Sequence, residues 1–195
     1  CAAAIEKDGV VIAAGTGTTA LAVGRNRSMI HSLAGDGFLL GDEGSAFWIG
    51  KMALNSALRA RDGRGGNKEL LDVACKHFGS EPYQLPHTVH QLERPVNAIA
   101  DFAKTVEKLA VAGNSAANEV LNSAADELVL IATTAKRECD GDSDFQVALI
   151  GGVLAPENLL TKLVTNKLKE QGLTVHNSGK NSLDGAGALA ALAQP

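Results

Sequence analysis

Residues Gly9–Gly24 constrain this chain more than any other stretch. Two apolar runs, Gly9–Ala14 and Ala20–Val23, flank Gly15-Thr16-Gly17-Thr18-Thr19. Runs of this length, partly β-branched and bounded by turn residues, predict two strands of a tight hairpin. A polar turn at Arg25–Arg27 and a third strand over Ser28–Leu33 extend the hairpin to an antiparallel meander. Such a sheet needs helices over it, and the remaining sequence supplies them.

Ala46, Phe47, Ile49, Ala53, Leu54, Ala57 and Leu58 recur at helical spacing. Asp42 and Glu43 stand at the front of that helix, where acids favour the dipole, and Asp62-Gly63 ends it. Lys68–His77 and Val96–Ala110 are amphipathic, with Pro82, Pro86 and Pro95 breaking the chain between them, so residues about 64–112 read as a helical insertion. From Asn114 to Lys136, Ala117, Val120, Leu121, Ala124, Leu128, Ile131 and Ala135 share one helix face. After a polar loop at Asp140–Asp144, Phe145–Ile150 is a buried strand ending in Gly151-Gly152. Pro156 suits the first turn of a helix and Gly172 its C-terminal stop, which predicts a helix over Ala155–Gln171. Leu173–His176 is a short strand and Leu183–Ala193 a final helix of small residues. Three meander strands followed by alternating helix and strand make an α/β fold of RNase H-like layout, a mixed sheet covered by helices.

A chain of 195 residues buries one core, or one core with a small appended subdomain. Its net charge of −4 argues against a nucleic-acid surface, which needs clustered Lys and Arg. No uncharged apolar run approaches the ~20 residues of a membrane span. Cys1, Cys75 and Cys139 are odd in number, far apart and without CxxC spacing, so they read as reduced thiols of a cytoplasmic protein. Asn26-Arg27-Ser28 matches a glycosylation sequon without a signal peptide before it, and chance accounts for it. The chain starts at Cys1, not Met, and is inside a strand by Val10; the expectation is a piece of a longer polypeptide.

Three glycine-marked turns are candidate sites. Gly15-Thr16-Gly17-Thr18 either closes a plain hairpin or brings backbone N–H groups and hydroxyls up to a phosphate. Gly41-Asp42-Glu43-Gly44-Ser45 either caps a helix through Asp42 or leaves that carboxylate free to accept from sugar hydroxyls. Gly151-Gly152 leaves room for a nucleotide against backbone; Gly185 and Gly187 are accounted for by close helix packing. Of the five histidines, His87 and His90 have a spacing that metals use, but no third ligand accompanies them, and they read as exposed loop residues. Trp48 reads as a core residue. No metal site is expected.

In order, GVVIAAGTGTTAL, GDGFLLGDEGSAFWIGKMAL, VALIGGVL and DGAGALAAL resemble the sugar kinases of the BadF/BadG/BcrA/BcrD ATPase family, in particular its N-acetylglucosamine and other amino-sugar kinases. These belong to the actin/hexokinase/Hsp70 superfamily of two-lobed ATPases. The resemblance implies transfer of the γ-phosphoryl group of Mg-ATP to the 6-hydroxyl of N-acetylglucosamine or a related amino sugar. It implies ATP phosphates at Gly15, Thr16, Gly17 and Thr18, sugar at Thr16, Asp36, Gly41, Asp42 and Gly44, and adenosine at Gly151 and Gly152. Two departures stand out: the family usually reads GGWG where this chain has Gly35-Asp36-Gly37, and its first phosphate loop and catalytic acid lie upstream of Cys1. The chain therefore reads, over 1–195, as the C-terminal lobe, whose partners are the N-terminal lobe and, through the helical insertion, a second copy in a homodimer. Two other family roles are a non-catalytic sugar- or nucleotide-binding protein and an ATPase activator carrying an iron–sulfur cluster; the second needs cysteines close to the phosphate loop.

Overall fold

The computed structural model describes Ile5 and residues 7–24, 29–141 and 144–176. Three strands, β1 (Gly9–Ala14), β2 (Thr18–Gly24) and β3 (Met29–Ala34), form the antiparallel meander. β4 (Gln146–Ile150) then lies parallel to β1, with Gly9 opposite Gln146 and Ala13 opposite Ile150. The two-residue β5 (Thr174–Val175) adds parallel to β4, and the sheet order is β3-β2-β1-β4-β5. This is a mixed sheet of the RNase H-like type.

The period of two divides β1 between two clusters. Val10, Ile12 and Ala14 join Ala20, Ala22 and Val147 in the main core, under the helices. Val11 packs on the opposite face with Ile5, Val23 and Ala148. α1 (Ala46–Arg61) and α5 (Ser115–Glu138) contribute long buried rows to the main core. Ala117, Ala124, Ala125, Ala132 and Ala135 give α5 a face of small residues, which lets it lie close over β1–β3. Residues 64–112 carry α2 (Lys68–Phe78), α3 (Leu85–His90) and α4 (Pro95–Val111), and α4 packs along α1. No helix of the described residues is long and apolar enough to cross a membrane.

The structure departs from the sequence expectations at several ends. Helix α1 starts at Ala46 with Ser45 as its N-cap, so Asp42 and Glu43 lie outside its first turn. Pro86 does not break the chain but is the second residue of α3, in the first turn, where proline gives up only a donor that has no partner within the helix. His87 and His90 therefore lie on a short helix and not in a loop. After β4 comes a 3-10 turn at Gly152–Leu154, and α6 (Leu159–Glu170) begins four residues later than the Ala155 expected. Pro156 precedes that helix. Trp48 is half-buried, packed against the edge of the core. The turn at Arg25–Arg27, the sequon, Cys1, Gly185, Gly187 and the helix expected over Leu183–Ala193 lie outside the described residues.

Candidate functional site

The turn between β1 and β2 is built into the start of α1. Ala46 N donates to Gly15 O (2.9 Å) and Phe47 N to Thr16 O (3.2 Å), while Trp48 N donates to the hydroxyl of Ser45 (3.1 Å). The loop's carbonyls thus meet the open N–H groups of the helix. Its own amides point elsewhere: Gly15 N donates to Gly17 O (2.9 Å), and the Thr16 and Gly17 N–H groups have no acceptor among the described residues. Thr16 is exposed. Two free adjacent amides and a hydroxyl in a glycine turn form a cradle for an anion.

Asp42 sits on the other side of this turn. It has φ +64°, a left-handed conformation that Asp tolerates better than most residues, and only 7% of its surface is exposed. Oδ1 accepts from Thr18 N at 3.1 Å, and Oδ2 has no partner among the described residues. Gly17 makes that placement possible, because a Cβ there would stand 2.6 Å from Oδ2. Asp42 is therefore not the helix cap, a role that Ser45 fills; its carboxylate is turned back into the loop. Asp36, exposed, lies beside Gly41, whose N–H closes the preceding turn on Gly37 O at 2.8 Å. Gly44 is buried against Leu128. Asp36, Gly41, Asp42 and Gly44 thus gather at one corner, next to Gly17 and Thr18.

Across the loop from that corner opens a cleft of about 510 Å³. Gly15, Thr16, Gly152, Val153 and Asn158 line it, Gly15 and Gly152 following the neighbouring ends of β1 and β4, and Ala46, Ile49, Leu121 and Leu160 add apolar lining. Gly152 is a cleft residue, whereas Gly151 fixes the wall: at φ +106° its Cα lies so close to Ala14 O that any side chain would collide with the end of β1. The side of the cleft is α4, with Asn97, Asp101, Lys104 and Glu107. Lys104 Nζ donates to Asp101 Oδ1 at 2.7 Å and holds the Asp101 carboxyl below the usual carboxylate range.

These α4 residues escape a reading based on glycine turns, because they are the polar face of an ordinary amphipathic helix. Only their spacing, three and four residues apart from Asn97 to Lys104, signals a common face. Neither of the two described cysteines approaches the cleft: Cys139 is buried against Gly24, at the end of β2 remote from the loop, and Cys75 is on α2. Burial raises the pKa of both thiols. Among the described residues no three His, Cys, Asp or Glu side chains converge as a metal site, His87 and His90 included.

The model of the BadF/BadG/BcrA/BcrD ATPase family matches residues 1–190. The N-acetylmuramic acid/N-acetylglucosamine kinase of Clostridium acetobutylicum is 30% identical over 133 residues, which are 66% of this chain and 42% of the relative. An N-acetyl-D-glucosamine kinase of Dictyostelium discoideum is 28% identical over 167 residues, 83% of this chain and 52% of the relative. The chain thus spans about half the length of the curated relatives it matches. A solved protein of Chromobacterium violaceum assigned as an N-acetylglucosamine kinase superposes with a TM-score of 0.67 at 24% identity, over 88% of this chain and 57% of the other. A protein of Porphyromonas gingivalis with the same assignment gives 0.68 at 18% identity, over 88% and 56%. At these identities the two structures bear on the fold alone.

Proposed function

Because the chain belongs to the BadF/BadG/BcrA/BcrD ATPase family, we propose that it forms one lobe of an amino-sugar kinase, the lobe that carries the nucleotide cleft and part of the sugar site. The observation that carries this is the position of the Gly15–Thr18 turn between two different surroundings. Thr16 faces a large cleft with an apolar lining, and Gly17 and Thr18 face the carboxylate of Asp42. A phosphoryl group passed from a nucleotide to a sugar must travel through such a point.

In this reading ATP lies in the cleft, its base over the apolar lining and its adenosine against Gly152, beside Gly151. Asn97, Asp101 and Lys104 of α4 face its polar edge. The free N–H groups of Thr16 and Gly17, with the Thr16 hydroxyl, hold the phosphates, and the buried Thr18 hydroxyl joins them if the turn opens. Oδ2 of Asp42 accepts from hydroxyls of the sugar, and Gly41, Gly44 and Asp36 shape its corner. The work of such a site is positioning and the neutralisation of charge, since phosphoryl transfer asks little covalent chemistry of the protein. Mg²⁺ would arrive on the phosphates. Magnesium keeps several of its waters and binds through few carboxylates. The base that takes the proton of the sugar 6-hydroxyl belongs, in this reading, to the other lobe, and the protein works in the cytoplasm, where ATP is at hand. N-acetylglucosamine is the first substrate to test, on the names of the relatives.

The test is release of ADP with N-acetylglucosamine, N-acetylmuramic acid, glucosamine and glucose. It compares this chain with a polypeptide that also carries the sequence upstream of Cys1. Sugar-dependent ADP release by the longer protein alone is the expected result. Turnover by the 195-residue chain itself would overturn the assignment of the base to the other lobe. Sugar binding by the longer protein without any turnover would favour a non-catalytic member of the family.

A further inference from the structure

The start of α6 is held from outside its own segment. Asn158 occupies the N-cap position, a residue type well suited to capping, yet its side chain makes no cap bond. Its amide turns back and donates to Gly152 O (3.0 Å) and Val153 O (3.1 Å), which ties up the loop along the cleft. Thr161 Oγ1 donates to Ala155 O (2.8 Å) and fastens the same loop from the other side. The open amides of α6 are met instead by Glu107 of α4. Its Oε1 accepts from Leu159 N at 2.5 Å and from Leu160 N at 3.4 Å. A carboxylate at this place satisfies donors and also balances the positive end of the helix dipole. It leaves that helix end with less to offer a phosphate, so the Gly15–Thr18 turn remains the anion cradle.

We propose that Glu107 is a positioning residue of the nucleotide site, fixing the Gly152–Leu160 wall against α4. Affinity for the nucleotide then depends on a carboxylate whose bonds are to the helix behind the wall. This rests on the assignment of the cleft to ATP given above. It also gives the helices of residues 64–112 a role in binding, with α4 as the beam from which the Gly152–Leu160 wall hangs.

Two substitutions and two readouts test it. Glu107→Ala removes the acceptor, and Glu107→Gln keeps an oxygen there without the charge. Amide hydrogen exchange is followed at Leu159 and Leu160, with Ala46 and Phe47 of α1 as the control for an intact fold, and ATP affinity is measured by calorimetry. Loss of a cap predicts exchange at the two α6 amides faster by about 5- to 30-fold in Glu107→Ala. ATP affinity should fall by a similar factor, with the control amides and sugar affinity unchanged, and Glu107→Gln should recover most of both losses. Faster exchange with unchanged ATP affinity overturns the inference, because the cap would then be structural only. Weaker ATP binding with unchanged exchange overturns it too, because Glu107 would then be a direct contact. If the unsubstituted protein binds no ATP, the assignment of the cleft fails and the inference with it.

Discussion

Two helices begin at the cleft, and each finds partners for its open N–H groups differently. The amides of α1 are met by Gly15 O and Thr16 O of the turn before it and by Ser45, its own N-cap. The amides of α6 are met by one side chain on another helix, Glu107, which lies 52 residues before Leu159 in the chain. The first end is secured by backbone, so side chains around it can change without releasing it, provided that they take no space. The second end hangs on one carboxylate. The wall with the Gly15–Thr18 turn should therefore be the stiffer of the two, and the wall at Gly152–Leu160 the one that a single substitution can loosen.

Gly151→Ala tests the limit of that contrast with the largest effect. The Gly152–Leu160 wall has one rigid point before it, where Gly151 meets Ala14 O at φ +106°. A side chain there brings both a strained backbone and an overpacked contact, together roughly 4 kcal/mol. Urea denaturation measures it. A loss below about 1 kcal/mol, the range of surface changes, would mean that the end of β4 yields and that both walls are soft.

Asp42→Asn comes next, and it acts on function and not on the fold. Asparagine can still accept from Thr18 N through its carbonyl, so the turn should hold. Weakening a charge-assisted bond to a sugar hydroxyl costs about 2 kcal/mol, roughly thirtyfold in sugar affinity. ATP affinity should stay as it was, because Asp42 lies across the turn from the cleft. An equal fall in both affinities would show that the two sides of the turn are not separate.

The contrast between the walls also explains what is legible without a structure. The hairpin, the long α5 and the strand before Gly151 rest on local periodicity, which the sequence displays directly, and their ends fall within a few residues of those expected. Ser45 as the N-cap of α1 is within reach, since serine is a favoured cap, but Asp42 is as good a cap by type and stands in a more conspicuous glycine turn. What decides between them is the bond from Thr18 N to Asp42, which pulls the carboxylate away from the helix. The start of α6 falls later than expected for a related reason. Pro156 suits a first turn, but the helix begins where Glu107 can reach its amides, and nothing near Leu159 in the sequence announces a partner on α4. The Asn97–Lys104 face stays hidden because a polar helix face looks the same beside a cleft as beside solvent.

Ser45→Ala sharpens the comparison from the other wall. The loss of an N-cap hydroxyl costs about 1 kcal/mol in typical helices, or about 2–4 °C in melting temperature for a chain of this size. Ala46 and Phe47 keep their acceptors on Gly15 and Thr16, so the loss should stop there and ATP affinity should not change. If Ser45→Ala weakens ATP binding as much as Glu107→Ala does, the two walls are equally dependent on a single side chain and the contrast fails.

The smallest effect expected concerns Thr18, and its sign carries the information. Thr18 is 2% exposed, and its Oγ1 is a buried side-chain polar atom without a partner among the described residues. A buried hydroxyl left unmatched is a cost to the fold, of the order of 1 kcal/mol at least. Thr18→Val keeps the branched shape that the strand accepts and removes the unmatched oxygen. In the protein without ligand it should be neutral or raise stability by about 0.5–1 kcal/mol. If the hydroxyl serves the phosphates after a small opening of the turn, the same substitution should weaken ATP binding while the fold becomes no less stable. Opposite signs in the melting temperature and the ATP affinity would mark Thr18 as kept for its ligand. A gain in stability with unchanged affinity would leave the phosphates to Thr16 and the free amides of the turn.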